Sequence, residues 1–280
     1  MKTVVEVLTA TAAFFRERGI PSPRMEAELV LGHALGIDRV AVYLQFDRPL
    51  ADAELAPIRE MVRRRGQREP LATVLGEKEF YGRAFSVTSG VLVPRPDTET
   101  LVEAMLPLIG DEPTFVTDVG CGTGIIGITL CLERPGVRCF SVDPAHAALA
   151  CTRANVERHG LKERVAVLRG EFLRPVPTTR TVDWVVANPP YIPSRDIEGL
   201  QPEVRLHEPR LALDGGPDGL DVYRALVPMA ASRATRGLAL EVGAGQAAAV
   251  GAMVEATGLR VAVHRDLGGV ERVVLGTREG

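Results

Sequence analysis

The sequence predicts an α/β protein whose main domain is a doubly wound, mostly parallel sheet, preceded by a small all-helical domain. Three observations support this fold class. Apolar residues recur at helical spacing up to about residue 75, the period changes to that of strands between residues 77 and 93, and strand and helix patterns alternate after residue 113. With 280 residues, 46 % of them apolar, the chain is long enough to bury a substantial core.

Residues 1–75 are predicted to form the helical domain. One apolar stripe runs from Val4 to Phe15, a second pattern follows it, and a polar-rich amphipathic stretch covers residues 51–67. The basic run Arg63 to Arg65 could contact an acidic partner. A solvated helix end near Gly66 is the favoured interpretation, because cations are common in the last turn of a helix.

Residues 76–95 are predicted to be a β-hairpin linker, since the chain alternates there and carries Gly82 and Gly90, so one or two short hairpins are expected. Pro96 opens a helix at the start of the third region, which runs from residue 96 to 280.

In the third region, two helical patterns, at 124–135 and 146–160, alternate with strand-like runs. The strand-like runs lie at 114–120, 137–143, 164–170, 182–190, 237–243 and 270–276. This alternation is typical of a doubly wound sheet, which binds ligands at the carboxyl ends of its strands.

Composition excludes some classes of function. The net charge of −3 gives little support to a strongly electrostatic nucleic-acid binder. No apolar run is long enough to span a membrane, and the apolar start of the chain is broken by charges, so a cytoplasmic protein is expected. No metal site is expected, because the cysteines form no C-x-x-C pair and are interpreted as small, reduced core residues. They are Cys121, Cys131, Cys139 and Cys151.

A glycine-rich turn, "TDVGCGTGIIG", lies where the first strand of the third region becomes a helix. Its glycines allow a sharp turn and close approach to a ligand; they are Gly120, Gly122 and Gly124. Asp143 ends the next strand, where it is placed to accept hydrogen bonds from the two hydroxyls of a ribose.

The same turn fits two ligands. Residues 122–127 also satisfy the dinucleotide pattern G-x-G-x-x-G, so a nicotinamide-dependent oxidoreductase is a competing interpretation. Asp118 favours S-adenosylmethionine, because a carboxylate repels a pyrophosphate and attracts the amino group of a methionine tail. After the third strand, Glu171 can accept from the adenine amino group and Phe172 can pack on the ring.

The segment "ANPPY" ends the strand-like run at 182–190. Prolines have no N–H and stop the strand, so the side-chain oxygen of Asn188 and the backbone carbonyl of Pro189 become available as acceptors. Two acceptors that grip one NH₂ group can aim its nitrogen and stabilise positive charge during methyl transfer, with no separate catalytic base. Tyr191 adds a flat surface for a planar group. The predicted chemistry is methylation of an amide or aromatic amino nitrogen.

The chain resembles the bacterial release factor glutamine methyltransferases, the PrmC/HemK group, over nearly its whole length. The resemblance rests on "EFYGRAFSVTSGVLVPRPDTETLVE", "DVGCGTG", "VDP", "ANPPYIPS", "EVRLHEPRLALDGGPDGLDVYR", "LEVGAGQ" and "GVERVVLG". It implies a Rossmann-like class I methyltransferase domain that uses S-adenosylmethionine to methylate the glutamine of the Gly-Gly-Gln loop of peptide-chain release factors. The helical domain is then expected to dock the protein substrate.

The resemblance also implies site residues. The substrate glutamine would be held by Asn188, Pro189, Pro190 and Tyr191. The donor would contact Gly120, Cys121, Gly122, Thr123, Gly124, Asp143, Phe172 and Asn188. Two departures from the family are Glu171, where an Asp usually leads the adenine-contacting pair, and "PLATVLG" in place of a stretch containing tyrosine.

A nucleic-acid amino methyltransferase of the adenine N6 type remains the main alternative, because it shares the NPPY motif. The net charge gives it little support, so no direct nucleic-acid partner is expected. An oxidoreductase leaves NPPY and Asp118 unexplained.

Overall fold

Two units make up the fold in the computed structural model, which describes residues 2–279. The first, here called the helical unit, consists of the chain up to Glu77 together with the distant stretch Gln201–His207. The second, the sheet unit, consists of Lys78–Leu200 and the chain from Glu208 onward. The chain therefore leaves the sheet unit after Leu200, contributes seven residues to the helical unit and returns.

The helical unit is built from short amphipathic helices around one apolar core that includes Leu8, Phe15 and Leu31. With helices numbered in chain order, its members are α1 (Val4–Glu17), α2 (Pro23–Leu35), α3 (Arg39–Leu44), α4 (Asp52–Gly66), α5 (Leu71–Leu75) and α9 (Pro202–His207). The first helix begins where Thr3 and Glu6 cap each other's backbone N–H groups in a capping box.

The last turn of α4 differs from the sequence interpretation. Arg63 is exposed and pairs with Glu60, as expected of a solvated helix end. Arg65 is only 3 % exposed and contacts Glu26 of α2 and Glu203 of α9. The interpretation as a solvated end is wrong for Arg65, because Glu203 comes from a part of the chain that local spacing cannot reveal.

A single hairpin, β1 (Glu77–Phe80) and β2 (Arg83–Ser86), follows the fifth helix. The turn places Tyr81 at a positive φ of 51° next to Gly82. Beyond it, residues 87–95 form no second hairpin.

The central sheet has seven strands. They are β3 (Thr114–Val119), β4 (Val137–Asp143), β5 (Val165–Arg169), β6 (Val182–Ala187), β7 (Ala234–Glu241), β8 (Arg260–Arg265) and β9 (Glu271–Thr277). Their order is β5-β4-β3-β6-β7-β9-β8. Strands β3 to β7 run parallel, and β9 pairs antiparallel with both β7 and β8. The predicted doubly wound sheet is confirmed, although β8 was not predicted.

Apolar layers cover both faces of this sheet. Neighbouring residues on β6 belong to different cores: Val186 packs with the layer of Leu101 and Ile128, whereas Val185 packs with that of Leu226. The helices of the unit are α6 (Glu99–Met105), α7 (Ile125–Glu133), α8 (His146–Arg158), α10 (Asp221–Arg233) and α11 (Ala247–Glu255). All four cysteines are buried and free, as predicted. In the described chain, no helix is long and apolar enough to cross a bilayer.

Candidate active site

A cavity of about 330 Å³ lies at the carboxyl ends of the central strands. Strand β3 pairs with β4 on one side and β6 on the other, so Val119 lies beside both Val142 and Ala187. The chain order reverses here, because β4 and β5 extend one way from β3 and β6 and β7 the other. The glycine turn after β3 and the NPPY segment after β6 thus lie at one edge.

Most of the predicted site residues line this cavity. Those in its lining are Gly120, Cys121, Gly122, Thr123, Asp143, Glu171, Phe172, Asn188, Pro189 and Pro190. Asp118, Gly124 and Tyr191 are not part of the lining.

The turn glycines serve two different purposes. All three have positive φ, so side chains would be strained there. At Gly120 a Cβ would meet nothing within 4 Å, so the backbone surface is open toward a ligand. At Gly124 a Cβ would lie 2.9 Å from side-chain carbons of Ile128 and Thr152, so this glycine is required for packing at the start of α7.

Asp143 lies at the end of β4 and is bound to the backbone on both oxygens. Its Oδ2 accepts from Gly122 N–H at 3.0 Å and its Oδ1 accepts from Ala145 N–H at 2.8 Å. Burial raises the pKa of the carboxyl, and these two N–H groups oppose that rise. A carboxylate has about four acceptor positions, so two remain for hydroxyl groups in the cavity. Asp143 therefore fits the ribose of S-adenosylmethionine.

Asp118 lies under the turn. It is fully buried, and its Oδ2 accepts from Gly127 N–H in the first turn of α7 at 3.0 Å. Burial raises its pKa to about 7, against the effect of the Gly127 bond. The side chain fastens α7 to β3, and direct contact with a donor's amino group stays a prediction.

The loop after β5 brings an acid and an aromatic ring to the cavity. Phe172 has a φ of 52°, a conformation that costs a non-glycine residue on the order of 1–3 kcal/mol and is frequent at ligand sites. Glu171 lies in the same lining but also forms an ion pair with Arg174 at 2.9 Å.

Asn188 is oriented by a residue to which sequence reasoning gave no role. Its Nδ2 donates to the Thr98 hydroxyl at 3.2 Å. Across residues 2–279, no hydrogen bond involves Asn188 Oδ1 or the Pro189 carbonyl oxygen. Two acceptors at the cavity are therefore free to bind a ligand.

Tyr191 is held by glycine-rich segments. Its carbonyl accepts from Gln246 Nε2 at 2.9 Å, and a Cβ on Gly219 would lie 2.3 Å from that carbonyl oxygen. A Cβ on Gly243 would lie 2.9 Å from the Tyr191 ring. Sequence reasoning missed this support; the signal for it was present in "DGGPDG" and "EVGAGQ", whose glycines had been given no role.

Glu241, the last residue of β7, is a second residue that sequence reasoning missed. It is 1 % exposed, and burial raises its pKa to about 7. Its Oε2 has no hydrogen-bond partner among the described residues. The available signal was its position, because an acid that ends a parallel strand lies at the ligand-binding edge.

The chain also matches known proteins. Residues 6–76 match the PrmC N-terminal domain and residues 96–201 match the methyltransferase small domain. The release factor glutamine methyltransferase of Geobacter sulfurreducens is 44 % identical over 277 residues, covering 98 % of this chain and 96 % of that protein. The chain belongs to the release factor glutamine methyltransferase family. The family member from Caulobacter vibrioides is 38 % identical, and the match covers 99 % of this chain and 96 % of that protein.

Solved structures support the fold. The hMettl16 catalytic domain in complex with MAT2A 3'UTR hairpin 6 superposes with a TM-score of 0.60 at 14 % identity, covering 82 % of this chain and 83 % of that one. A methyltransferase from Pyrococcus furiosus superposes with a TM-score of 0.52 at 14 % sequence identity. The superposition covers 71 % of this chain and 91 % of that one. At such identities the likeness concerns the fold alone, and it agrees with the predicted class I methyltransferase fold.

Proposed function

We propose that this protein transfers a methyl group from S-adenosylmethionine to the side-chain amide nitrogen of the glutamine in the Gly-Gly-Gln loop of peptide-chain release factors. The observation that carries the proposal is the pair of free acceptors, Asn188 Oδ1 and the Pro189 carbonyl, beside a cavity that fits the donor. The names of the relatives that place the chain in its family agree with this substrate.

The donor supplies a methyl group that is already activated on a sulfonium, so the protein's task is binding and alignment. Asp143 binds the ribose through its remaining acceptor positions, and Phe172 packs against the adenine. The open backbone at Gly120 lets the donor approach closely.

The NPPY segment prepares the acceptor nitrogen. An amide nitrogen is a poor nucleophile because its lone pair is delocalised into the carbonyl. When Asn188 Oδ1 and the Pro189 carbonyl each accept one N–H of the glutamine amide, both protons are held and the lone pair can turn toward the methyl group. The same two oxygens stabilise the positive charge that develops on nitrogen as the new N–C bond forms. The extra proton leaves to water afterwards.

We assign release-factor docking to the helical unit. Its α3 helix carries two exposed apolar side chains, Val40 at 66 % and Leu44 at 81 % exposure, as is common on surfaces that bind proteins. We place the reaction in the cytoplasm, where release factors work, with no membrane partner and no direct nucleic-acid partner.

Labelled S-adenosylmethionine, incubated with the protein and a purified release factor, tests the proposal. The label is expected on the release factor, and mass spectrometry should locate it on the glutamine of the Gly-Gly-Gln loop. A release factor with that glutamine changed to alanine is the matched control. Transfer to an adenine of DNA or RNA in parallel reactions, with none to the release factor, would identify a nucleic-acid amino methyltransferase instead.

A further inference from the structure

A side-chain amide outside the cavity joins three segments at the carboxyl edge of the sheet. Gln246 directly precedes α11, and its Nε2 donates to the Tyr191 carbonyl at 2.9 Å and to the Gly219 carbonyl at 3.4 Å. Its Oε1 accepts from Gly243 N–H at 3.0 Å. These partners lie in the NPPY segment, in the loop before α10 and in the loop after β7.

The orientation of this amide is fixed by its partners. All of them are backbone groups, and a backbone N–H can only donate whereas a backbone carbonyl can only accept. The Gln246 oxygen must therefore face Gly243, and the nitrogen must face the two carbonyls. The backbone of Gln246 is anchored as well, because its N–H donates to the Gly243 carbonyl at 3.0 Å and its own carbonyl accepts from Val250 N–H in α11 at 3.0 Å.

Two glycines make room for the amide. A Cβ on Gly219 would lie 2.7 Å from Gln246 Nε2, and a Cβ on Gly243 would lie 2.7 Å from Gln246 Oε1. The Cβ on Gly243 would also lie 2.9 Å from the Tyr191 ring. Interiors are close-packed, so a side chain at either position would displace Gln246 or Tyr191.

The Pro189 carbonyl, one of the two free acceptors of the site, lies in the short stretch between β6 and Ile192. Ile192 is hydrogen bonded to other backbone groups through both its N–H and its carbonyl. Between these two fixed ends, the ring of Pro190 sets one torsion angle, and the bond from Gln246 to the Tyr191 carbonyl restrains those that follow. Without that bond, the stretch could rotate and turn the Pro189 carbonyl away from the cavity.

We infer that Gln246 is a positioning residue that holds the NPPY backbone with the Pro189 carbonyl toward the nitrogen to be methylated. The inference deepens the proposed function and rests on it for the identity of that nitrogen. Gln246 is not part of the cavity lining, so it acts through Tyr191. Donor binding should not depend on it, because the ribose is assigned to Asp143 at the end of β4.

The first experiment compares Gln246→Glu with Gln246→Met in single-turnover methyl transfer to a release factor. At about pH 8, well above the usual glutamate pKa of about 4.3, the new carboxyl is ionised and turns an acceptor toward two carbonyl oxygens. We expect kcat to fall about 10²-fold for glutamate and about tenfold for methionine, which removes the donor without adding repulsion. The Kd for S-adenosylmethionine should stay unchanged in both variants.

The second experiment reaches the amide from its other side. Gly243→Ala adds one carbon atom against Gln246 Oε1 and the Tyr191 ring, and the φ of Gly243 is not positive, so the substitution adds no backbone strain. We expect kcat to fall about tenfold through misalignment, again with unchanged donor affinity. Gly110→Ala is the matched control, because its Cβ would meet nothing within 4 Å and its φ is not positive either.

The third experiment needs no substrate. The sequence contains only two asparagines, Asn155 and Asn188, so selective ¹⁵N-asparagine labelling gives two side-chain NH₂ groups. The signals of Asn188 should shift in the Gln246 variants, since its segment is the one released. Asn155 donates to the carbonyl oxygens of Ser86 and Thr123, and its unchanged signals should show that the fold is kept. A residue that only added stability would leave the Asn188 signals of the folded protein in place.

The outcomes separate the two levels of inference. A wild-type protein that methylates no release factor defeats the proposed function, while the Asn188 signals still decide whether Gln246 positions the NPPY segment. Folded Gln246 variants with wild-type kcat, a loss of donor affinity that parallels the loss of kcat, or Asn188 signals that do not move would each overturn the positioning role.

Discussion

In the helical unit, buried carboxylates form ion pairs with arginines, whereas most buried carboxylates at the edge of the sheet do not. Glu28 of α2 is 1 % exposed and is held by Arg24, Arg39 and the hydroxyl of Tyr43. Burial opposes its ionisation, but the bonds from Tyr43 and Arg39 outweigh burial and lower its pKa. Glu203 of α9 follows the same pattern, with Arg68 as its strongest partner.

At the sheet edge, burial has the largest effect on the pKa of the acidic side chains. Asp118 and Asp143 accept from backbone N–H groups, whereas Oε2 of Glu241 has no hydrogen-bond partner among the described residues. Burial raises the pKa of all three side chains. The two units thus use buried acids in different ways. The helical unit uses them in ion pairs that join its helices, and the sheet unit keeps them partly unsatisfied around a ligand cavity, which is where perturbed pKa values are concentrated in enzymes.

The largest expected effect is on kcat and comes from substitutions of Asn188, which test the chemistry assigned to the sheet unit. Asn188→Ala removes one of two aimed acceptors, so we expect kcat to fall about 10²–10³-fold. Asn188→Asp keeps an acceptor oxygen and should lie between alanine and wild type. Single-turnover transfer to a release factor measures both variants, and an alanine variant as fast as wild type would contradict the mechanism.

A smaller effect is expected on donor affinity. Asp143→Ala removes the acceptors assigned to the ribose, and hydrogen bonds to a charged group contribute about 1.5–3 kcal/mol, so S-adenosylmethionine should bind on the order of 10- to 100-fold more weakly. Calorimetry measures the Kd directly. Unchanged affinity would remove Asp143 from the donor site, and tight binding of NADH would restore the oxidoreductase interpretation.

The third prediction concerns stability. The folded-state pKa of Glu241 lies above its ordinary value of 4.5, so Glu241 favours folding fully below pH 4.5, and this stability is lost as pH rises through about 7. Glu241→Gln removes the cost of an ionised buried carboxyl. The variant should therefore gain about 2 kcal/mol in free energy of unfolding relative to wild type between pH 5 and pH 8. Urea unfolding at the two pH values tests this, and a pH-independent difference would contradict it.

The smallest effect should come from the helical unit. Leu44→Asp places a charge on the exposed face of α3, so we expect the KM for the release factor to rise about tenfold with kcat and donor affinity unchanged. Leu267→Asp, at a fully exposed leucine of the sheet unit, is the matched control. Equal effects of the two variants would refute the docking role. A point substitution is preferred to truncation, because removing residues 1–77 would leave 201–207 without their core.

Local patterns were sufficient to predict the sheet and the position of the site. The alternation after residue 113 predicted a doubly wound, mostly parallel sheet, and NPPY predicted where β6 ends. Strand β8 was missed although residues 261–263 repeat the Val-Ala-Val run that marked β5. It is an exposed edge strand, in which Val263 is 43 % exposed, and the run ends after three residues. The contact of Thr98 was hidden for another reason, since its partner Asn188 is 90 residues away and a hydroxyl has no spacing pattern of its own.

The contribution of residues 201–207 to the helical unit has a consequence for protein synthesis. A ribosome completes the N-terminal helices long before it makes Glu203, the partner of the buried Arg65. About 130 residues separate the end of the first stretch from the end of the second, so at an elongation rate of about 5–20 residues per second the unit stays incomplete for on the order of ten seconds. During that interval Arg65 has only Glu26 as an anionic partner. The buried Arg65 therefore gains its Glu203 partner only after most of the chain has been made.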